Sequence, residues 1–406
     1  MKHNGFTTIF VLAACTGAVC AQSSFQGIGF LSGAGHRSYP YDISGDGSTV
    51  VAYALDTNGA GQPARWTKSG GLESLGEIPG AWSLTANGEA LGVNYDGSVI
   101  TGSSPGALGR EVFRWTQATG MVGLGDLNSL SITQAYGRAI SDDGAVIVGQ
   151  GDYSYGLPGP LYGESFRWTE SSGLVGLGHL TSPPAQQYGI AMGCSSNGDV
   201  VVGWATTPNG TEAYRWTESA GMVGLGDVAG GAVDSGATAC SADGNTVVGW
   251  VRTELRYEPA YWTESIGWTS LGTGWSAGID NYAGDCTPDA SVIVGALNIT
   301  YGGVVGAEIS GDAFIWDATN GMRNIKDELM LGGVTDVAGW TLLGASGVSH
   351  DGKTVAGIGI NPQGEYEGWV ATLSGDSACY ADCDENGSLN IFDYICFGNA
   401  FAAGCP

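Results

Sequence analysis

The stretch Ser-Ala-Asp-Gly-Asn-Thr-Val-Val-Gly, residues 241–249, decides the fold because it recurs along the chain. It begins with a Ser-x-Asp-Gly turn and continues into an apolar run of β-branched residues. Asp-Gly supplies the positive φ of a tight hairpin, so each copy predicts two strands joined by a short turn. The seven copies, some with a substitution in the turn, begin at Ser44, Asn94, Ser141, Ser195, Ser241, Thr287 and Ser349.

A second motif alternates with the turn. It is a Trp, in most copies preceded by Arg or Tyr, and consecutive copies are 46 to 54 residues apart: Trp66, Trp115, Trp168, Trp216, Trp262, Trp316 and Trp369. After each of the first six, a glycine turn leads into another apolar segment such as Met121–Leu127. One repeat therefore predicts four antiparallel strands, which is the content of a propeller blade.

The two ends of the repeat region predict how it closes. The seventh repeat lacks its fourth strand, and the segment Phe25–Leu31 matches Met121–Leu127 position by position. An N-terminal strand that completes the last blade closes a ring, whereas an open solenoid calls for polar caps instead. We therefore predict an all-β, seven-bladed β-propeller of four-stranded blades over residues 22–374, with the last blade closed by the N-terminal strand.

Residues that are the same in every repeat are best explained by structure. The seven Trp residues suit blade-to-blade packing better than a sugar-binding array. The Asp of each turn suits hydrogen bonds to its own turn backbone better than calcium. Ile or Val replaces Cys194, Cys240 and Cys286 in four repeats, so we predict free thiols used as small hydrophobic side chains, with a shared metal as the alternative.

Residues that differ between repeats are the better candidates for binding. The turns between strands one and two and between three and four are uniform, whereas the loops at the other end vary. Exposed aromatic residues there suit a carbohydrate or protein ligand, and the alternative is that they only fill loops. The predicted ligand residues are Tyr153, Tyr155, Tyr162, Trp82, Trp275 and Trp340.

The sequence contains no recognisable catalytic motif. His36, His179 and His350 do not lie in metal spacing or beside a nucleophile motif. We therefore predict a binding or scaffold protein and not an enzyme. The alternative is a polysaccharide hydrolase or lyase, because propeller sites can be assembled from distant loops.

The N-terminus predicts export. Lys2, the apolar stretch 6–14 and the small-residue site before Gln22 are typical of a signal peptide spanning residues 1–21. A lipobox ending at Cys15 is the alternative and would make that residue a lipid anchor. The net charge of −26 argues against nucleic acid and anionic membranes as partners. No other apolar run reaches membrane-spanning length, so we predict a secreted or cell-surface protein.

The composition changes after Gly375. In an exported chain, four cysteines within 27 residues predict two disulfides with three possible pairings: Cys379, Cys383, Cys396 and Cys405. Between them, oxygen-bearing side chains follow the spacing of a calcium loop, with a glycine at its sixth position. The predicted calcium ligands are Asp382, Asp384, Asn386, Ser388, Asn390 and Asp393.

Both parts of the chain resemble known families. The Ala-Phe-Ile-Trp-Asp of residues 313–317 and the Phe-Arg-Trp-Thr of 113–116 resemble the HAF repeats of extracellular bacterial proteins, a likeness that covers 25–373. The loop closed by Asp393, with the ending of 397–406, resembles the GC-type dockerin-like tail over 376–406. This second resemblance implies a small disulfide-rich, EF-hand-like module over 375–406. It also implies attachment to a cohesin-like or cell-envelope anchor.

Overall fold

The computed structural model describes residues 23–31, 36–81, 87–107, 109–127, 134–153, 162–180, 187–228, 233–275, 280–300 and 310–373. All of them belong to one compact unit, Ser23–Leu373. No helix in these stretches is long and apolar enough to cross a membrane. The predicted signal peptide, Cys15 and the C-terminal module lie outside the described residues.

The described strands form seven four-stranded antiparallel units, each a meander. The seventh unit includes the first strand of the chain, β1 (Ser24–Gly27). Unit 1 contains β2 (Ser38–Ile43), β3 (Thr49–Leu55), β4 (Gly61–Thr67) and β5 (Gly71–Ser74), and unit 2 contains β6 (Glu89–Val93), β7 (Val99–Pro105), β8 (Arg110–Thr116) and β9 (Gly120–Gly125). Unit 3 contains β10 (Gln134–Ile140), β11 (Val146–Tyr153), β12 (Tyr162–Thr169) and β13 (Gly173–Gly176).

The remaining units follow the same order. Unit 4 contains β14 (Gln187–Cys194), β15 (Val200–Thr207), β16 (Gly210–Thr217) and β17 (Gly221–Gly224), and unit 5 contains β18 (Val233–Cys240), β19 (Thr246–Arg252), β20 (Tyr257–Thr263) and β21 (Gly267–Ser270). Unit 6 contains β22 (Tyr282–Cys286), β23 (Val292–Thr300), β24 (Ser310–Asp317) and β25 (Gly321–Asn324). Unit 7 contains β26 (Thr341–Val348), β27 (Thr354–Ile360) and β28 (Tyr366–Thr372). Short parallel contacts fuse units 2 to 5 into one 16-stranded sheet.

The Ser-x-Asp-Gly turns are held by their own side chains, as predicted. In unit 5, Ser241 Oγ donates to Asp243 Oδ1 at 2.7 Å and accepts from the backbone N–H of Thr246 at 3.0 Å. Asp243 Oδ1 also accepts from the N–H of Asn245 at 3.0 Å. Gly244 has a φ of +67°, which a residue with a side chain adopts only under strain. The interpretation of the turn Asp as a structural acceptor is confirmed.

The repeated Trp residues pack across the joints between units. Trp216 of unit 4 contacts a cluster that includes Val146 and Val148 of unit 3. The same relation holds at the next joint, where Trp262 of unit 5 packs against a cluster that includes Val202 of unit 4. Since each unit has only one sheet, its apolar face is buried only against a neighbour. The predicted packing role of these residues is confirmed.

Unit 7 is completed by the N-terminal strand. Strand β1 pairs antiparallel with β28, and Phe25 lies opposite Ala371. The joint beyond it is also packed, because Ile43 of unit 1 shares a core cluster with Val370 of unit 7. The predicted pairing of the N-terminal segment with the last repeat is therefore confirmed.

Backbone hydrogen bonds link successive turns around the axis. The second residue of a Ser-x-Asp-Gly turn donates to the corresponding carbonyl of the next unit at 2.7–3.2 Å, in the pairs Tyr95 to Asp142, Asp142 to Ser196, Ser196 to Ala242, Ala242 to Pro288 and His350 to Gly45. Between units 1 and 2 the donor is Asp46, whose N–H bonds the carbonyl of Tyr95. Pro288 has no N–H to donate to unit 7. These bonds draw the units together around one axis, in the arrangement of a β-propeller.

One short helix interrupts the pattern that the sequence predicts. Helix α1 (Ile325–Leu331) lies in the connection between units 6 and 7. Asn324 caps it, since its side chain accepts from the N–H groups of Lys326 and Asp327. Ile325 and Leu329, one turn apart, are buried on the same face. The repeat pattern did not predict this helix.

Candidate functional site

The first strands of the seven units line a narrow central channel. The cavity has a volume of about 300 Å³, and every unit contributes to its wall. That volume is at the lower end of the range for small-molecule sites.

Every first strand carries a β-bulge at the same position. The pairing with the second strand skips one residue in each of the seven units. A bulge leaves the extra residue outside the ladder and changes the direction of its side chain. The skipped residues all line the channel, and we call them the bulge ring: Tyr41, Leu91, Arg138, Met192, Thr238, Gly284 and Ser346.

Two residues further along each strand, the channel has an apolar waist. It is formed by Ile43, Val93, Ile140, Cys194, Cys240, Cys286 and Val348. The three cysteines are free thiols, as predicted. Burial raises the pKa of Cys194 to about 12 and raises those of its two neighbours as well, so the thiols stay protonated. Within the described stretches, no group of three or more His, Cys, Asp or Glu is placed to hold a metal ion.

Two carboxyl groups lie between the bulge ring and the waist. Asp42 accepts from the N–H of Val93 in the next unit at 3.0 Å, and Asp285 accepts from the N–H of Val348 at 2.9 Å. Burial raises the pKa of Asp285 to about 6. Burial, together with the charge of Asp285, raises the pKa of Asp42 well above its usual value. Each carboxyl therefore links its own unit to the next one by a hydrogen bond. Its burial makes its ionisation less favourable.

A polar cluster lies at the turn end of the channel. The Nε2 atom of His350 lies 3.6 Å from Asp142 Oδ1, and its ring centroid lies 5.1 Å from that of Tyr95. The contact spans units 7 to 3, and it passes beside Gly45, where a Cβ would lie 2.9 Å from the imidazole. The missing side chain at Gly45 thus gives His350 the room to reach Asp142.

Aromatic and charged side chains gather towards the opposite, loop end. Burial and the charge of Glu89 raise the pKa of Tyr41, and Glu89 forms an ion pair with Arg110 at 3.3 Å. The guanidinium carbon of Arg110 lies 5.3 Å from the ring centroid of Tyr136, and that of Arg138 lies 5.6 Å from it. Two cationic groups therefore lie beside one aromatic ring, and one of them, Arg138, lines the channel.

The predicted ligand residues have different outcomes. Trp275 is exposed, at 42%, and its role in ligand binding stays a prediction. Trp340 is only 8% exposed, and its ring packs edge-on against Phe25 at 5.2 Å. The prediction of an exposed Trp340 is wrong, because closure of unit 7 by β1 buries that loop residue. The side chains of Tyr153, Tyr155, Tyr162 and Trp82 lie outside the described residues, as do the calcium ligands and the four tail cysteines.

The sequence interpretation missed the bulge ring. Its signal is present in the printed sequence, because the position three residues before each turn changes in every repeat. Neighbouring positions stay small or apolar, apart from Asp42 and Asp285. A position that varies inside an otherwise regular strand indicates a side chain that core packing does not constrain, unlike its neighbours on the strand.

Comparison with known proteins supports the fold. No family model and no curated protein sequence matches this chain. Among solved structures, oligogalacturonate lyase from Vibrio parahaemolyticus is similar with a TM-score of 0.54 and 10% identity, covering 87% of this chain and 97% of that one. Two further structures have TM-scores below 0.5. They are the Swd1 β-propeller domain of Myceliophteria thermophila, at 0.47 with 10% identity and coverage of 84% and 98%, and TolB from Acinetobacter baumannii, at 0.42 with 14% identity and coverage of 72% and 65%. At such identities the likeness concerns the fold alone, and the chain has a β-propeller scaffold.

Proposed function

We propose that this protein is an exported binding or scaffold protein built on a closed, seven-bladed propeller. The seven four-stranded units are its blades, and β1 closes the ring by completing the last one. The hydrogen bonds between successive turns support this closure, because they run from unit 7 to unit 1 as well as along the chain.

The bulge ring is the observation that carries the binding role. Seven equivalent backbone positions carry seven different residues, a glycine and six different side chains, around one cavity. A rigid frame with varied side chains at equivalent positions is the usual basis of selective recognition. The wall carboxyls Asp42 and Asp285 are already engaged by backbone N–H groups of the next unit, so their first role is structural. The ligand belongs to the cell exterior and is a carbohydrate or a protein.

The C-terminal module attaches the propeller in this proposal. The oxygen spacing from Asp382 to Asp393 supports a calcium loop, and the dockerin-like resemblance supports attachment to a cohesin-like or cell-envelope partner. The signal peptide and the likeness to extracellular HAF-repeat proteins support export.

Binding and catalysis are separated by one experiment. The mature protein is screened on a glycan array, and each retained glycan is then incubated with it and assayed for new reducing ends and for unsaturated products. We expect retention without product. Product formation would replace the binding role by the enzymatic one, and retention of no glycan would leave a protein ligand as the remaining form of the proposal, tested by pull-down with cell-envelope proteins.

A polysaccharide hydrolase or lyase is the second candidate. It is favoured by the presence of Asp42 and Asp285 in one channel with raised pKa values, since perturbed carboxyls in a cleft are frequent at catalytic sites. Under this alternative, Asp285→Asn abolishes turnover while glycan retention persists.

Calcium binding is tested on the full-length protein. We expect about one calcium ion per chain by calorimetric titration, because one loop of this spacing binds one ion. The double variant Asp382→Ala, Asp393→Ala should lose that heat. Matched substitution of Asp243 and Asp289 in the propeller turns should leave it intact. Equal calcium uptake by the double variant would refute the role given to the loop.

A further inference from the structure

Arg138 is the only charged residue of the bulge ring. The bulge in β10 falls between Gly137 and Ala139 and turns the Arg138 side chain towards the channel. The corresponding residues of the neighbouring units are the apolar Leu91 and Met192. Arg138 therefore places a cationic side chain in the wall of the channel, at a position where the neighbouring units have apolar side chains.

In the part of the chain that the structure describes, Arg138 has no acidic partner, whereas five other arginines do. Ion pairs hold Arg65, Arg110, Arg167, Arg252 and Arg323. Among the described residues no carboxylate oxygen lies within 4.0 Å of the Arg138 guanidinium, and its Nε atom is buried without a hydrogen-bond partner. In a chain with 40 acidic and 14 basic residues, an unpaired arginine in a cavity indicates an anion supplied from outside.

An aromatic ring lies beside this guanidinium. The Tyr136 ring lies 5.6 Å from its central carbon, and Arg110, at 5.3 Å on the same ring, is already paired with Glu89. An aromatic ring engages the face of a guanidinium and leaves its N–H edges for a partner in the plane. A planar carboxylate matches those edges with two parallel hydrogen bonds.

The rest of the wall limits what accompanies the carboxylate. Leu91 is only 7% exposed, and the waist beyond it is apolar. The hydroxyls of Thr238 and Ser346 already donate to backbone carbonyls, so they accept more readily than they donate. The raised pKa of Asp42 lessens the negative charge facing an incoming anion. A cavity of about 300 Å³ suits a molecule with a single ring.

We propose that the channel binds a small organic carboxylate, with the carboxylate on the Arg138 guanidinium and the body of the molecule against Leu91 and Met192. This rests on the binding role proposed above and names the ligand class of its channel. Both candidate kinds of ligand carry a carboxylate, and the rest of the molecule is either a sugar ring or an apolar ring.

The test is calorimetric titration of the full-length protein with matched pairs of probes. Glucuronate is compared with glucose, benzoate with benzyl alcohol, and sulfate serves as the inorganic anion. We expect glucuronate or benzoate to bind. We expect the neutral partner of that probe to bind at least about tenfold more weakly than the carboxylate does. The probe that binds more tightly identifies the body. Equal binding of sulfate, or no carboxylate binding at all, would overturn the proposal.

Variants separate the site from general charge effects. Arg138→Gln should weaken carboxylate binding by about tenfold or more. Arg138→Lys keeps the charge but loses the planar fork, so its affinity should lie between those of the wild type and Arg138→Gln. Arg65→Gln is the matched control, because Arg65 also lies over an aromatic ring, that of Trp115 at 4.6 Å, but outside the channel. Circular dichroism confirms that each variant is folded. Unchanged binding in Arg138→Gln refutes the site, whereas retention of a neutral glycan by the same variant leaves the binding role of the propeller standing.

Discussion

Replacement of Asp285 by Asn should stabilise this protein at neutral pH and not at low pH. Burial raises the pKa of Asp285 from 3.8 to about 6 in the folded chain. At ~1.36 kcal/mol for each pH unit, that difference is worth about 3 kcal/mol. Asparagine has the shape of the protonated carboxyl and keeps an oxygen for the N–H of Val348, so it should avoid the cost of ionisation.

The sign of the effect follows from which state ionises first. Below pH 3.8 the carboxyl is protonated in the folded and the unfolded chain, and Asp285 carries no penalty. As the pH rises from 3.8 to about 6, the unfolded chain ionises first and the folded state loses stability. Above that window the loss is complete. For a folded unit spanning Ser23–Leu373, about 3 kcal/mol corresponds to about 4 °C in Tm.

The assay is thermal unfolding of the wild-type protein and Asp285→Asn at a series of pH values from 3 to 8. We expect equal Tm values at the acidic end and a growing advantage of the variant through the window. Asp243→Asn is the control, because hydrogen bonds from Ser241 and Asn245 lower the pKa of Asp243 and its contribution to stability has the opposite sign. Unit 4 has Asn197 at the corresponding position, so Asp243→Asn should lower the stability of the protein only slightly. A pH-independent difference, or a less stable Asp285→Asn at pH 8, would refute the reasoning.

Three further substitutions test closure, the bulge and the loop aromatics. Phe25→Ala should cost about 3–5 kcal/mol of unfolding free energy, because its ring packs on Trp340 in the closed seventh unit; urea unfolding that shows no loss would contradict closure. Gly249→Ala should cost about 1–3 kcal/mol by the same measurement, since its Cβ would overlap the carbonyl of Gly236, and an unchanged midpoint would contradict the bulge. Trp275→Ala should leave Tm unchanged, because Trp275 is exposed; a drop as large as that of Trp340→Ala would show that it is core.

Most of the fold could be predicted from the sequence because its signals are local and repeated. The Ser-x-Asp-Gly turns and β-branched runs specify hairpins through neighbouring residues alone. The match of the N-terminal segment to a missing strand predicted the β1–β28 pairing, which is a contact between the two ends of the repeat region. Helix α1 escaped prediction because only seven residues form it, and its burial of Ile325 and Leu329 depends on the joint between units 6 and 7.

Less of the candidate site could be predicted, because a channel belongs to no single repeat. The sequence directed attention to aromatic residues in loops, and closure of unit 7 buried one of them, Trp340. The bulge ring and the Asp42 and Asp285 bonds to the next unit involve residues that the chain separates by tens of positions. Arg138 and Tyr136 lie two residues apart on one strand, but only the packing of unit 2 against unit 3 places Arg110 beside them.

The sequence by itself determined the strands, the turns and the number of repeats, since these depend on residue types a few positions apart. It also determined that Cys194, Cys240 and Cys286 are packed thiols, because Ile and Val replace them elsewhere. The tertiary structure alone decided which side chains meet in the channel and how burial changes their ionisation. Those properties arise from the distances between seven separate strands, and a one-dimensional pattern does not contain such distances.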